Sequence, residues 1–109
     1  MPERRRRIAE NEIRFREINE RMRGSLDGVI PDDDVVEFVC ECGDGGCRAS
    51  VELTLEEYED VRGHDLHFAV LSGHEIPDVE TVVERHERYT VVEKRGDVVL
   101  LVRDAQPGH

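Results

Sequence analysis

Cys40-Glu41-Cys42-Gly43-Asp44-Gly45-Gly46-Cys47 brings together all three cysteines of a 109-residue chain. Cysteines clustered this tightly in a chain expected to be cytoplasmic point to metal or redox chemistry before disulfide structure. Cys40 and Cys42 are neighbours on one face of a strand, where their sulfurs splay apart. Glycines at 43, 45 and 46 let the backbone turn back, so that Cys47 approaches the other two. Three thiolates in one place repel one another unless a cation neutralises them. Zinc suits them, with a fourth ligand closing the tetrahedron. An iron–sulfur cluster on three cysteines and one histidine is the alternative metal chemistry.

Five histidines compete for the fourth position. His74 is preferred, because Gly73 and Pro77 hold it in a turn of the kind that presents ligands. His67 comes second, followed by His64 and His86, and His109 falls in the tail. Three cysteines and a histidine would fill zinc's coordination shell and leave a poor Lewis acid. Glu41 and Glu75 are the carboxylates near enough to serve as a base. HExxH is missing because position 78 is aspartate, and the deaminase order H-x-E then P-C-x-x-C is absent. The expectation is a structural zinc and no catalysis, with a zinc hydrolase as the remotest reading.

Outward from the cysteines, period-two alternation predicts strands at 35–42 and 49–53. Thr54 and Glu57 form a capping box for a helix over 55–62, with Leu55, Tyr58 and Val61 inward and Gly63 at its end. A strand is expected at 66–71 and a turn at Ser72-Gly73. Asp78 then caps an expected helix to about 87, with Val79, Val82, Val83 and His86 on one side. A terminal hairpin pairs 89–94 with 98–102 across Arg95-Gly96-Asp97. This order predicts an α+β fold: a long N-terminal helix, a small, mostly antiparallel sheet, two short helices and a metal knuckle. The expected organisation is a helix over 1–24, a linker over 25–34, a zinc-binding domain over 35–104 and a loose tail over 105–109.

The net charge of −11 divides unevenly. Residues 1–24 carry eight arginines and five glutamates, a net of +3, and the remainder carries −14. An acidic body repels nucleic acid and anionic lipid. Nucleic-acid contact would therefore fall to Arg4, Arg5, Arg6 and Arg7. No apolar run approaches the length of a membrane span, so a cytoplasmic location is expected. Helix 3–23 has no internal proline, and Gly24 stands where a C′ residue belongs. Glu3/Arg7, Glu10/Arg14, Glu12/Arg16 and Glu17/Arg21 are i,i+4 pairs in the favourable order. Ile8, Phe15, Ile18 and Met22 make a narrow seam, Asn11 takes a missing position in it, and Ile13 lies off it. Such a seam suits docking on a protein partner or a second copy.

The chain resembles a family of small proteins widespread in actinobacteria and related lineages, most of them without an assigned activity. The resemblance rests on Asn11-Glu12, Phe15-Arg16-Glu17 and Asn19-Glu20-Arg21, then Phe38 to Cys42 with Cys47. It continues through Leu53-Thr54, Glu57-Tyr58, Val61-Arg62, Phe68 to Val70, Gly73-His74-Glu75, Val82 to Arg85 and Tyr89 to Lys94. The chain departs at Ser72, where relatives usually carry proline. The resemblance implies a Cys/His metal site. It also suggests a recognition surface on the first helix formed by Asn11, Phe15, Arg16, Ile18, Asn19 and Met22. The function expected is a zinc-binding regulatory or adaptor protein. The rivals are a zinc- or thiol-based redox sensor and a nucleic-acid-associated factor.

Overall fold

A computed structural model describes residues 2–105. The elements are α1 (Glu3–Leu26), β1 (Val35–Val39), β2 (Ser50–Thr54), α2 (Leu55–Arg62), β3 (His67–Val70), β4 (Glu80–Arg85), β5 (Thr90–Lys94) and α3 (Val98–Asp104). β1 pairs antiparallel with β2, and a second antiparallel sheet has the order β3-β5-β4. The Glu41 amide donates to the Ala69 carbonyl (2.9 Å), linking the end of the first sheet to the second. The architecture is α+β. Among the described residues no helix is long and apolar enough to cross a membrane.

α2 forms as its sequence dictates. Thr54 accepts from the Glu57 amide (3.0 Å) and Glu57 accepts from the Thr54 amide (2.8 Å). Leu55, Tyr58 and Val61 face inward, Gly63 caps the end, and Phe38 stacks on Tyr58 with ring centroids 4.5 Å apart.

Three expectations are corrected. The segment expected as a helix from Asp78 to about 87 is β4. Thr81, Val82 and Val83 are β-branched, and the register passes from Val82↔Val92 to Glu84↔Val91, leaving Val83 as a bulge. The bulge breaks the alternation that would have marked a strand. The segment 98–102, expected to complete a hairpin, is helical instead. β5 is the central strand with both edges already paired, so no ladder position is left for it. Val98 and Val102 turn inward as parts of α3, while Leu100 faces solvent. The first helix also runs past Gly24 to Leu26, which packs against the core around Phe38 and Tyr58. That contact offsets a glycine cost of roughly 1 kcal/mol.

α1 lies across the domain. Ile8, Ala9, Glu12, Ile13, Phe15, Arg16 and Asn19 are buried, so Ile13 belongs to the inner face, while Ile18 lies at its exposed margin. Glu3–Arg7 forms as an ion pair (3.6 Å), but Glu12 and Arg16 turn inward. Arg4 pairs with Asp78, Arg5 Nε with Asp97 (3.0 Å) and Arg6 with Glu10 (3.6 Å). The basic N-terminus is thus neutralised largely by the chain's own carboxylates. His109 and most of the expected tail lie outside the described residues.

Candidate metal centre

β1 ends at Val39, and the chain turns through 40–49 before β2 begins. Asp44 builds the turn: its carbonyl accepts from the Cys47 amide (3.0 Å) and its Oδ1 from the Gly46 amide (2.9 Å). A Cβ at Gly43 would collide with the Ile8 and Ile76 side chains, so glycine there lets the loop lie directly on α1. Asn11 Nδ2 donates to the Gly43 carbonyl (2.9 Å). Asn19 donates to the Val39 carbonyl (2.8 Å) and accepts from the Val39 amide (2.9 Å).

His74 arrives from the other side. Its amide donates to the Leu71 carbonyl (3.0 Å), and Gly73 takes φ +88°, as position i+2 of a type II turn requires. The ligand atoms of Cys40, Cys42, Cys47 and His74 lie within 4.8 Å of one another. His74 Nδ1 is 3.5 Å from Cys40 Sγ and 3.8 Å from Cys47 Sγ. A zinc tetrahedron with Zn–S of about 2.3 Å and Zn–N of about 2.0–2.1 Å has S···N edges of about 3.5–3.6 Å. The spacing and the donor set therefore fit a metal ion such as zinc.

Backbone amides surround the sulfurs. Leu71 N–H donates to Cys40 Sγ (3.3 Å). The amides of Cys42, Asp44 and Ala49 point at Cys40, Cys42 and Cys47 in turn, each two residues along the chain. Such bonds spread thiolate charge and orient the ligands. A Cys42 thiol bonded to Cys40 lowers the Cys40 pKa, and the same bond holds Cys42 protonated in the metal-free chain. Burial raises Cys47. Cys40 and Cys42 are buried, whereas Cys47 and His74 stand at the margin.

Glu41 points away from the sulfurs. It is fully buried and accepts from Asn19 Nδ2 (2.9 Å), the Ala69 amide (3.0 Å) and the Tyr58 hydroxyl. Burial raises its pKa against the pull of Arg62 and these donors. It braces the loop and is not placed to activate a metal-bound water. Glu75 accepts from the Gly73 amide (2.9 Å) and pairs with Arg85 (3.6 Å). His86 meets Glu84 (2.7 Å) and stacks on Tyr89, while His64 and His67 gather around Glu93.

The residues expected to form a recognition face divide. Asn11 and Asn19 hold the cysteine loop, and Arg16 is buried with its guanidinium carbon 5.0 Å from the Phe68 ring centroid. Phe15 is mostly buried, and Ile18 and Met22 remain at the surface margin. Sequence reasoning missed the bracing set of Asn11, Asn19 and Glu41. The available signal was the eight-residue spacing of Asn11 and Asn19, which places both amides on one face of the helix. No family model, curated protein or solved structure matches the chain.

Proposed function

We propose that this protein is a small zinc-binding adaptor in which Cys40, Cys42, Cys47 and His74 hold a structural zinc ion beside a docking groove. The observation that carries the reading is the convergence of one imidazole and three sulfurs from two loops within 4.8 Å. Four protein ligands complete the tetrahedron, which favours a structural over a catalytic ion. When bound, zinc supplies charge neutralisation and a fixed link between the cysteine loop and the His74 turn.

The docking part rests on Ile18, Arg21, Met22, Ser25 and Leu26, which line a shallow groove of about 470 Å³ on α1. Ile18 also lines the adjoining recess beside Cys47 and Arg48, so the groove continues to the metal loop. Apolar walls with Arg21 and Arg48 alongside favour an apolar protein segment flanked by acidic residues. Arg4–Arg7 would have to exchange ion pairs within the chain for phosphates, which weighs against nucleic acid.

Metal analysis of the purified chain is expected to find about one zinc per chain. Loss of that stoichiometry in wild type, or its full retention in Cys42→Ser and His74→Ala, overturns the metal site. A photocrosslinker at Ser25 is expected to capture a partner only when Ile18 is intact and metal is present. Capture that survives both Ile18→Glu and chelation removes the docking claim, and a crosslink between two copies assigns the groove to self-association. A thiol-sensor reading draws on Cys47, whose partly exposed sulfur lies within 4.8 Å of the other two. Peroxide would oxidise two thiolates to a disulfide and release zinc; reversible release on treatment and reduction favours that reading.

A further inference from the structure

A second group of ligand-bearing side chains shares no residue with the cysteine centre. Gly63 ends α2, and His64 follows in the turn leading to β3. The His67 amide donates to the His64 carbonyl (3.1 Å), which brings both rings to one side. The rings stack with centroids 3.9 Å apart and planes 6° from parallel. His67 stands directly across the β3–β5 ladder from Glu93. Glu93 Oε1 is 2.9 Å from His67 Nε2 and 3.6 Å from His64 Nε2, so both imidazoles converge on one carboxylate oxygen. The ligand atoms of all three lie within 4.8 Å of one another.

We propose that His64, His67 and Glu93 form a second, solvent-facing site for a divalent cation of borderline hardness, such as Zn²⁺ or Co²⁺. Two imidazoles and a carboxylate are a donor set that such ions favour, and three protein ligands leave a coordination position for water. Stacked rings cannot both direct a lone pair at one ion, because a ligated ion lies in the plane of each imidazole. One ring must leave the stack, and His64 is placed to do so. Its side chain is 50% exposed, and its Nδ1 is held only by a 3.3 Å bond from the Leu66 amide. His67 is 14% exposed and fixed in β3 opposite Glu93. His67 and Glu93 are therefore the preset half of the site, and His64 closes on the ion. A site completed by an exposed, moving ligand exchanges its metal readily, unlike the buried thiolate centre.

The test titrates the full zinc-loaded chain with Co²⁺, followed by equilibrium dialysis and by paramagnetic shifts of histidine ring protons. A second equivalent is expected to bind in the micromolar range and to shift the His64 and His67 rings, with no thiolate-to-cobalt absorption. His64→Ala and Glu93→Gln are each expected to weaken that equivalent by roughly tenfold or more. Both positions are well exposed, so the zinc content of the cysteine centre and the far-ultraviolet circular dichroism should be unchanged. Binding seen only at millimolar cobalt overturns the proposal. Unchanged affinity in the His64→Ala/Glu93→Gln double variant, or cobalt that enters only the thiolate centre, overturns it as well.

Discussion

α1 is fastened to the rest of the chain on two sides, by two kinds of chemistry. On one side Asn11 and Asn19 grip the cysteine loop, which carries three of the four candidate metal ligands. On the other side Glu12 meets Lys94, the only lysine of the chain, and Lys94 also pairs with Glu80. All three of those charged side chains are buried. A domain of this size buries a modest core. On the proposed reading half of the helix's anchorage depends on an ion from solution, while the other half is built from the chain's own ionisable groups.

Removing the metal should break the comparison most severely. Structural zinc contributes on the order of 10–16 kcal/mol in small zinc domains, against a typical total stability of about 5–15 kcal/mol. Chelation is therefore expected to abolish the cooperative thermal transition, and Cys42→Ser to reproduce that loss without chelator. A chelated chain that melts as sharply and as high as the loaded one would refute a structural ion. Acid should separate the two anchors further. Burial raises the Glu12 pKa, so its contribution is fully present below the unfolded value and is lost as pH rises through the folded one. The metal centre runs the other way, because its ligands must shed protons to bind. At fixed free zinc the melting temperature of the loaded chain should thus fall from pH 8 to pH 5 as zinc is released.

Lys94→Met tests the second anchor alone. It leaves the Glu12 and Glu80 carboxylates buried without their cation, at an expected cost of about 3–5 kcal/mol. Denaturant titration should show that loss, and metal analysis should show unchanged zinc content. Adding Glu12→Gln and Glu80→Gln should recover part of it, since the unpaired charges are then gone. Loss of zinc in Lys94→Met at temperatures where the chain stays folded would mean that the two anchors are not separate.

Their legibility in the sequence differs for the same physical reason. Cys40, Cys42, Cys47 and the Thr54–Glu57 box announce themselves through local spacing, and the structure brings His74 to the three sulfurs. The Glu12–Lys94–Glu80 cluster joins residues far apart in the chain through groups that ordinarily face water. Nothing local marks them as inward. The same blindness makes α1 read as a narrow apolar seam beside a recognition surface, because nothing local shows that Glu12, Arg16 and Asn19 face inward. In the C-terminal third a bulge at Val83 hides a strand, and only the pairing of β5 on both edges excludes a hairpin.

Asn19→Ala addresses the joint between helix and loop. It removes the bonds to both backbone groups of Val39 and one donor to Glu41. The expected cost is about 1–3 kcal/mol, because a buried amide and a buried carboxylate lose a partner together. Zinc affinity should fall by roughly tenfold, as it does when an outer support of a ligand is lost. Competition with a chelator of known affinity measures the second effect. An unchanged zinc affinity beside a lowered stability would confine Asn19 to packing.

Ser72→Pro is expected to have the smallest effect and the opposite sign. Ser72 occupies position i+1 of the Leu71–His74 turn, where φ near −60° is required and proline supplies it in advance. Restricting the unfolded chain at a compatible position stabilises by about 0.4–1 kcal/mol. The turn carries the candidate ligand His74, so part of the gain should appear as tighter zinc binding if that side chain is held in place before the ion arrives. The variant should therefore melt higher by a few degrees when loaded, and should show little change when chelated if the cysteine half is then unfolded. An equal gain in both states would locate the benefit in the chain at large. A loss in the loaded state alone would mean that the ion needs freedom at this turn to draw His74 onto the three sulfurs.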